Sequence, residues 1–441
     1  MLRTITDALR SRSDLKGWTV RHVSAREAQV YGIPETIESS RSVDQERFLV
    51  SVLRETPGPD GRPSCGSGET TILPGGDIGT AVDTAALTAG LVHNPPYSLP
   101  GPADFPRVPL VDEDLRRDPA GAAESLMVRL YATAAEYPQV RLSAAECYVT
   151  EERTHLVNSR GIDVEQTATR IDLEWVLLAQ DGGRETESYV FLTRRRASDL
   201  DLPGEMSRQA HYAQDLLRAG DPPSHEGPVV LRGPALAELL APAESQSGPL
   251  QVLGSAAAKY GKFSTWERNA TVLRKEPAGD PLTLWVTRKH PFGNHAGRFD
   301  EEGIPAQRVE FIRAGKLVNF IASQRYAEYL GIPATGEFGD IEAPAGKTPA
   351  AELTRGKHVE VVTFSWFNPD PITAEFATEI RLGYLVEGKT RTPFKGGLLI
   401  GNVLDALADI RWSKETGFFG HYQGPVAARI GGLRVSGSQA T

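Results

Sequence analysis

The dipeptide His225-Glu226 is the place in the sequence where a histidine and a glutamate adjoin, as they do in helical metal-binding motifs. A second histidine facing the same ion would have to stand one helical turn later, where the chain has Val229 and Val230. Pro228 would also interrupt a helix between the two ligands. The dipeptide therefore predicts no metal site.

Three other histidines are better placed for metal chemistry. His290 and His295 lie in the segment KHPFGNH, and His421 lies in FFGHYQGP near the C-terminus. A loop could turn the first two imidazoles inward, and the third could meet them from the C-terminal segment. Their spacing does not demand this arrangement, because loop histidines are also commonly exposed or hydrogen-bonded. The sequence leaves both interpretations open.

Carboxylates and nucleophiles give weaker signals. The acidic run 300–302 could bind a cation or act in acid/base chemistry, but a solvated turn or a helix cap explains it more simply. Ser255 lies outside any GxSxG nucleophile elbow, and the sequence contains no GxxxxGK[ST] phosphate loop. Cys65, in a turn-rich segment, and Cys147, in a predicted strand, lack metal-ligand spacing and are interpreted as structural thiols.

Length and charge limit the class of protein. The chain of 441 residues is long for one hydrophobic core, so two domains are expected. Its net charge of -9 argues against a general nucleic-acid surface, and the triple Arg194–Arg196 is an isolated basic cluster. Neither a signal peptide nor an apolar run of membrane-spanning length is visible, so a cytoplasmic protein with no membrane association is expected.

Periodicity and turn residues predict helices and strands in the N-terminal part. A proline-rich connector occupies residues 93–109, and the segment DPPSHEGP suggests a domain boundary near residue 225. The predicted domains are therefore residues 1–225, an α+β domain with a strand meander, and residues 226–441. Predicted helices cover about 3–15, 78–92, 120–135 and 205–219; predicted strands cover 18–31, 47–54, 140–150, 155–157, 164–179 and 187–193.

The C-terminal part shows two hairpins, each followed by a helix. Ala314 and Gly315 separate the strand-like runs 309–313 and 316–321, and Ser323 can then cap a helix over 324–330 that stops at Gly331. The second hairpin joins 382–386 to 390–394 through residues 387–389, and Asn402 is a predicted cap for the helix VLDALADI. Both segments indicate an α+β layer arrangement.

Six segments, in this order, carry a family resemblance. They read PVVLRGPALAELL, LGSAAAKYGK, RFDEEGIP, IRAGKLVNFIASQRYAEYLGIPATG, GYLVEGKTRTPFKGGLLIGN and GGLRVSG, all within residues 226–437. The chain resembles the TldD/PmbA family, whose two branches form a heterodimeric zinc peptidase that acts on unfolded peptides. The resemblance implies an α+β, two-domain TldD/PmbA-like architecture with mixed and antiparallel sheets, hairpins and covering helices. The first 120 residues match the family poorly.

The resemblance also indicates where the catalytic branch holds its metal. That branch carries LLHExxxH, in which two histidines bind zinc and the glutamate is the general base; here the same segment, residues 239–246, reads LLAPAESQ. Ala241 and Pro242 replace the first histidine and the glutamate, and Gln246 replaces the second histidine. Alanine and proline offer no side-chain ligand, and glutamine is a poor one for zinc.

The chain is therefore interpreted as a PmbA (TldE)-like, non-catalytic subunit. The resemblance implies a heterodimer with a TldD-like, HExxxH-bearing partner that holds the zinc, no cofactor in this chain, and an extended or unfolded peptide as substrate. The candidate peptide-cleft residues are Arg298, Phe299, Asp300, Glu302, Trp366 and Phe367.

Two alternatives remain open. The chain could be a stand-alone peptide-binding pseudoenzyme, or a homodimeric accessory protein in peptide maturation. It could instead be a self-contained metal enzyme that uses His290, His295 and His421 as ligands.

Overall fold

A computed structural model describes residues 1–242 and 248–437, and this part of the chain contains three β-sheets. One six-stranded sheet comes from the N-terminal part, while a six-stranded and a nine-stranded sheet come from the C-terminal part. Helices pack on these sheets, and two of the sheets contain parallel pairs. The predicted α+β class with mixed and antiparallel sheets is confirmed.

The N-terminal sheet is antiparallel throughout, with the strand order β3-β2-β1-β4-β5-β6. Its strands are β1 (Gly17–Ile33), β2 (Thr36–Pro57), β3 (Pro63–Ile72), β4 (Arg141–Asn158), β5 (Asp163–Asp181) and β6 (Arg184–Arg194). The predicted meander is correct in order, but β4 is one continuous strand where two runs were predicted. β4 pairs with both β1 and β5 along its length, so it remains one strand through the polar residues in its middle.

An aspartate caps each of the five N-terminal helices except the first. Asp77, Asp118 and Asp201 each accept a hydrogen bond from a backbone N–H in the first turn of the following helix, satisfying donors that have no intrahelical partner. These helices are α1 (Leu2–Arg10), α2 (Ile78–Gly90), α3 (Glu113–Arg117), α4 (Pro119–Ala135) and α5 (Leu202–Arg218), with a 3₁₀ turn at Ala197–Asp199.

The segment around Cys65 is a strand, not the turn-rich loop that the sequence predicts. Its glycines allow the strand to lie against a helix: a Cβ on Gly66 would fall 1.9 Å from the carbonyl oxygen of Ala89, and one on Gly68 would fall 2.0 Å from that of Ala85. The glycines of β3 therefore serve close strand–helix packing, which sequence alone does not distinguish from turn formation.

The C-terminal part contains fifteen short strands among the described residues. They are β7 (His225–Glu226), β8 (Val229–Arg232), β9 (Leu284–Thr287), β10 (Arg308–Arg313), β11 (Lys316–Leu317), β12 (Asp340–Glu342), β13 (His358–Phe364), β14 (Glu375–Glu387), β15 (Thr390–Phe394), β16 (Leu398–Asn402), β17 (Ile410–Trp412), β18 (Thr416–Phe419), β19 (Tyr422–Pro425), β20 (Ala427–Ile430) and β21 (Arg434–Ser436). The smaller sheet has the order β11-β10-β9-β12-β19-β18. The larger has the order β17-β20-β8-β13-β14-β16-β21-β7, with β15 paired to β14.

The helices of this part are short. They are α6 (Pro234–Leu240), α7 (Pro249–Leu253), α8 (Ala256–Tyr260), α9 (Gln324–Leu330), α10 (Ala350–Leu353) and α11 (Val403–Ala408). Across the described ranges 1–242 and 248–437, no helix is long and apolar enough to cross a membrane.

The first predicted hairpin is present in a shorter form. Ala314 and Gly315 have φ values of 47° and 77°, so both turn residues are left-handed, as in a two-residue hairpin connection. The second strand ends at Leu317, four residues before the predicted end. Gly331, with φ 62°, ends α9 as predicted.

The second hairpin and its helix also follow the prediction in outline. The side chain of Asn402 accepts hydrogen bonds from the backbone N–H groups of Leu404 and Asp405, which confirms the predicted cap. The helix ends at Ala408, however, and Ile410 belongs to β17, where it pairs with Ile430. Helical periodicity could not reveal this because strand pairing, not local propensity, decides the conformation of Ile410.

Contacts cross the predicted boundary near residue 225. The hydroxyl of Tyr384, on β14, donates a 2.7 Å hydrogen bond to the buried carboxylate of Asp215, on α5. The division into domains 1–225 and 226–441 stays a prediction.

Candidate functional site

The segment that the resemblance aligns with a metal motif lies at the end of α6. This helix starts after Gly233, with Pro234 in its first turn, and ends at Leu240. Ala241 is already non-helical, with φ -144° and ψ 81°, and its N–H donates to the carbonyl oxygen of Ala237 at 2.8 Å. Pro242 follows, and Gln246 lies outside the described residues. Ala241 and Pro242 therefore supply neither a ligand atom nor the helical geometry of a metal motif.

A different group of potential ligands meets at one end of the smaller C-terminal sheet. His295 lies in the loop after β9, Asp340 is the first residue of β12, and His421 lies in the turn between β18 and β19. Because β12 is antiparallel to β9 and parallel to β19, the end of β9 and the starts of β12 and β19 meet at one edge. The register places Asp340 opposite Thr287, the last residue of β9. We call these three residues the His–Asp–His cluster.

The cluster is compact. The Nδ1 atoms of His295 and His421 lie 3.3 Å and 3.8 Å from Oδ1 of Asp340, whose side chain is 1% exposed. The three ligand atoms that the residues can offer to a metal all lie within 4.8 Å of one another. The two imidazole rings stack, with centroids 3.9 Å apart and planes 17° from parallel.

Two buried ring nitrogens of the cluster face the Asp340 carboxylate but form no aligned hydrogen bond with it. Among the described residues, neither His295 Nδ1 nor His421 Nδ1 has a hydrogen-bond partner. Burial raises the pKa of the Asp340 carboxyl, but the two adjacent imidazoles outweigh burial and hold that pKa below its ordinary value. The cluster therefore joins an ionised carboxylate to two imidazoles that stabilise its charge without an aligned hydrogen bond.

Arg195, just after β6, holds the loop that carries His295. Its guanidinium donates hydrogen bonds to the carbonyl oxygens of Gly293, Asn294 and Ala296, at 2.7, 2.8 and 3.1 Å. Burial lowers the pKa of Arg195 to about 10, so it remains a cation at neutral pH. The loop also packs closely on the carboxylate, since a Cβ on Gly293 would lie 2.5 Å from Oδ2 of Asp340.

The structure brings together two of the three histidines that the sequence analysis named as possible metal ligands. His295 and His421 come together, whereas His290 stacks on Phe418 with centroids 5.8 Å apart and is not in the cluster. Asp340 was missed, although its position before a β-prone pair, after Gly339, was a usable signal. The sequence marked Arg195 only as a member of the basic cluster Arg194–Arg196.

The candidate cleft residues of the 298–302 turn have specific structural partners. The side chain of Arg298 donates to the carbonyl oxygens of Pro106 and Glu165, at 3.2 and 2.6 Å. Phe299 is 2% exposed and packs edge-on against Phe105. These two side chains join the C-terminal part to the connector and β5.

Asp300 organises the turn itself. Its Oδ1 accepts from the N–H groups of Glu302 and Ile304, and its Oδ2 accepts from that of Glu337. Burial raises the pKa of Asp300. Burial also raises the pKa values of Glu302 and Glu337 to about 7, and the neighbouring carboxyl group of Asp300 raises both as well.

Glu302 also faces a groove of about 690 Å³ between the N-terminal sheet and α9. Residues lining this groove include Arg21, Glu69, Thr71, Tyr97, Glu301, Glu302, Arg325, Tyr326 and Glu337. A separate cavity of about 220 Å³ adjoins the cluster, with His295, Arg195, Arg288, Glu152 and Glu337 in its wall.

Trp366 and Phe367 differ in environment. Trp366 is 52% exposed, whereas Phe367 is buried and packs against Phe364 and Phe376, with centroids 5.3 and 5.1 Å away. Of the two, the side chain of Trp366 is accessible to a ligand.

The remaining candidates have structural roles. The ring of His225 lies 3.1 Å from the carbonyl oxygen of Pro228, and Ser255 caps α8 through the N–H of Ala258. Cys65 and Cys147 are buried free thiols. Burial raises the pKa of both, to about 12 for Cys147, which favours the unreactive thiol form.

Comparison with known structures shows the same fold. TldE from Thermococcus kodakarensis aligns with a TM-score of 0.80 and 18% identity, covering 99% of each chain. The protein TM0727 from Thermotoga maritima aligns with a TM-score of 0.81 and 18% identity, covering 99% of this chain and 100% of that one.

Sequence comparison supports this relationship. The protein MJ0231 of Methanocaldococcus jannaschii is 24% identical over 269 residues, or 58% of this chain. The match spans 60% of that relative, less than two thirds of its length. Residues 225–437 match the family model of the PmbA/TldA metallopeptidase C-terminal domain. The C-terminal part of the chain, residues 225–437, therefore belongs to the TldD/PmbA family of metallopeptidase-like proteins, and the whole chain has the fold of TldE.

Proposed function

We propose that this chain is a non-catalytic subunit of a heterodimeric zinc peptidase and completes the peptide-binding cleft of a HExxxH-bearing partner in the cytoplasm. The observation that carries the proposal is the end of α6 at Leu240, followed by Ala241 and Pro242. In the catalytic branch of the family, the aligned segment would supply the imidazole ligands and the general base that zinc-assisted amide hydrolysis needs. The partner would supply them, together with the zinc ion.

The environment of Ala241 supports the loss of the site. Ala241 is 8% exposed and belongs to the hydrophobic core of the C-terminal part, together with Leu239 and Leu240. A charged or metal-bound side chain would have to be buried among apolar neighbours here, which is costly without partners. This position serves packing in the present chain.

The groove beside α9 is the proposed peptide cleft. It is lined by residues of β1, β2 and β3, of which β3 is the outer strand of the N-terminal sheet, and by the acidic turn that contains Glu302. An extended peptide can pair with an outer strand through main-chain hydrogen bonds, which give affinity with little sequence dependence. Arg21, Arg325 and the glutamates of the groove would meet the termini and charged side chains of the substrate.

Co-expression with a HExxxH-bearing family member from the same genome tests the proposal. We expect a stable heteromer in size-exclusion chromatography and zinc-dependent cleavage of an unfolded peptide by the complex alone. A variant of the partner in which Gln replaces the Glu of HExxxH should form the complex but should not cleave the peptide. Peptidase activity of the single chain, or a stable homodimer that never joins the partner, would overturn the proposal.

A charge reversal tests the cleft. Glu69 is exposed on β3 and lines the groove, so Glu69→Lys should change the affinity of the complex for a charged peptide several-fold. Glu38→Lys, an equal change at an exposed β2 position away from the groove, is the matched control. Equal effects of both substitutions would argue against this groove.

A further inference from the structure

We propose that the His–Asp–His cluster, His295, Asp340 and His421, binds a divalent transition-metal ion, and that zinc fits it best. This site uses none of the positions 241, 242 and 246. It does not depend on the proposed partner-subunit function.

The ligand set matches zinc chemistry. Imidazole nitrogen and carboxylate oxygen both bind zinc at about 2.0–2.2 Å, and tetrahedral geometry then places neighbouring ligand atoms about 3.3 Å apart. The observed separations from Asp340 Oδ1 are 3.3 Å to His295 Nδ1 and 3.8 Å to His421 Nδ1. Small side-chain movements would therefore complete three corners of a tetrahedron.

The alignment of the two ring nitrogens also favours a metal ion. His295 Nδ1 and His421 Nδ1 are both buried and without a hydrogen-bond partner among the described residues. A buried polar atom without an aligned hydrogen-bond partner destabilises the fold. A metal ion would satisfy both nitrogens and the buried carboxylate of Asp340 at once.

Metal binding requires one rearrangement. A metal lies close to the plane of each imidazole it binds, whereas the two rings are stacked and 17° from parallel. The side chains of His295 and His421 are 31% and 29% exposed, so each ring has space to turn about its Cβ–Cγ bond. The backbone can stay in place, because Arg195 and Asn294 hold the His295 loop.

The local charge also permits a cation. The guanidinium of Arg195 is near, but its donors are directed to three loop carbonyls. In the adjoining cavity, Glu152, Glu301 and Glu337 offset Arg21 and Arg288. Three protein ligands leave a fourth position of the ion for water or an oxygen ligand, the arrangement that open zinc sites use.

Zinc titration of the purified full-length chain, stripped with a chelator, tests the site. We expect one zinc ion per chain by elemental analysis and by calorimetry, and a higher Tm in zinc than in chelator. His295→Ala, His421→Ala and Asp340→Asn should each weaken zinc binding about tenfold or more. His290→Ala is the matched control, since this histidine lies in the same loop but outside the cluster, and should leave zinc binding unchanged.

Folding of each variant is checked by its circular dichroism and Tm in chelator, so a failed fold is separated from a lost ligand. Cobalt(II) gives a second measurement, because its visible absorption reports nitrogen and oxygen ligation directly. The proposal is overturned if the wild-type chain retains no stoichiometric zinc, or if His295→Ala and His421→Ala bind zinc as the wild type does. No partner subunit enters these measurements, so their outcome leaves the proposed peptidase complex untouched.

Discussion

The carboxylate of Glu302 accepts a 2.7 Å hydrogen bond from the backbone N–H of Gln324, the first residue of α9. Ser323 occupies the N-cap position but makes no side-chain cap bond. The acidic turn at 300–302 is therefore attached to α9 by a cap from a distant residue. This contact fixes one wall of the proposed peptide groove.

The Glu302 cap predicts a pH-dependent stability. Burial raises the folded-state pKa of Glu302 from 4.5 to about 7, so the folded chain binds this proton more tightly than the unfolded chain. The resulting stabilisation is complete below about pH 4.5 and is lost as the pH rises through 7. Glu302→Gln keeps an acceptor for Gln324 but cannot ionise. It should therefore be more stable than the wild type at pH 8, by on the order of 1 kcal/mol, and similar at pH 5.

Urea denaturation at pH 5 and pH 8 measures this difference. Glu337 keeps its own raised pKa in the variant, so the pH dependence should flatten without disappearing. Glu301→Gln, at a 62% exposed side chain in the same turn, is the control and should leave the slope as it is. An unchanged slope in Glu302→Gln would contradict the prediction.

Arg195 should be needed to position the His295 loop. Lysine carries the same charge but cannot direct donors to three separate carbonyl oxygens as the guanidinium does. Arg195→Lys should cost about 2 kcal/mol of unfolding free energy and speed amide hydrogen exchange at Ala296 and Gly297. Both amides donate within this loop region, to Gly293 and Arg288 respectively.

Hydrogen exchange followed by mass spectrometry and chemical denaturation would check the Arg195 prediction. Arg184→Lys is the matched control, because the side chain of Arg184 is 64% exposed and pairs with Asp181 on the surface. If both substitutions gave the same small effect, the loop would not depend on Arg195.

Gly66 should be irreplaceable in β3. A Cβ there would lie 1.9 Å from the carbonyl oxygen of Ala89 and 2.4 Å from that of Val92, so α2 or β3 would have to move. Gly66→Ala should destabilise the chain by about 3 kcal/mol, seen as a lower midpoint in denaturant. Gly220→Ala, where a Cβ meets nothing within 4 Å, should have little effect. An unchanged denaturation midpoint in Gly66→Ala would mean that β3 and α2 do not pack this closely.

Local signals predicted the C-terminal elements well. Gly315, Gly331 and Asn402 each act through φ values or hydrogen bonds to near neighbours, so sequence is sufficient to find them. The ends of β11 and α11 were wrong because strand partners far along the chain decide them. Gly66 and Gly68 were misread for the same reason, since the helix that requires them lies elsewhere in the sequence.

The sequence by itself indicated the family, through six ordered segments, and predicted that Ala241, Pro242 and Gln246 replace a metal motif. Both inferences depend only on the identity and order of the residues. Only the tertiary structure brought His295, Asp340 and His421 together and left His290 apart. The physical reason is sheet topology: β12 pairs antiparallel with β9 and parallel with β19, so three distant segments meet at one edge.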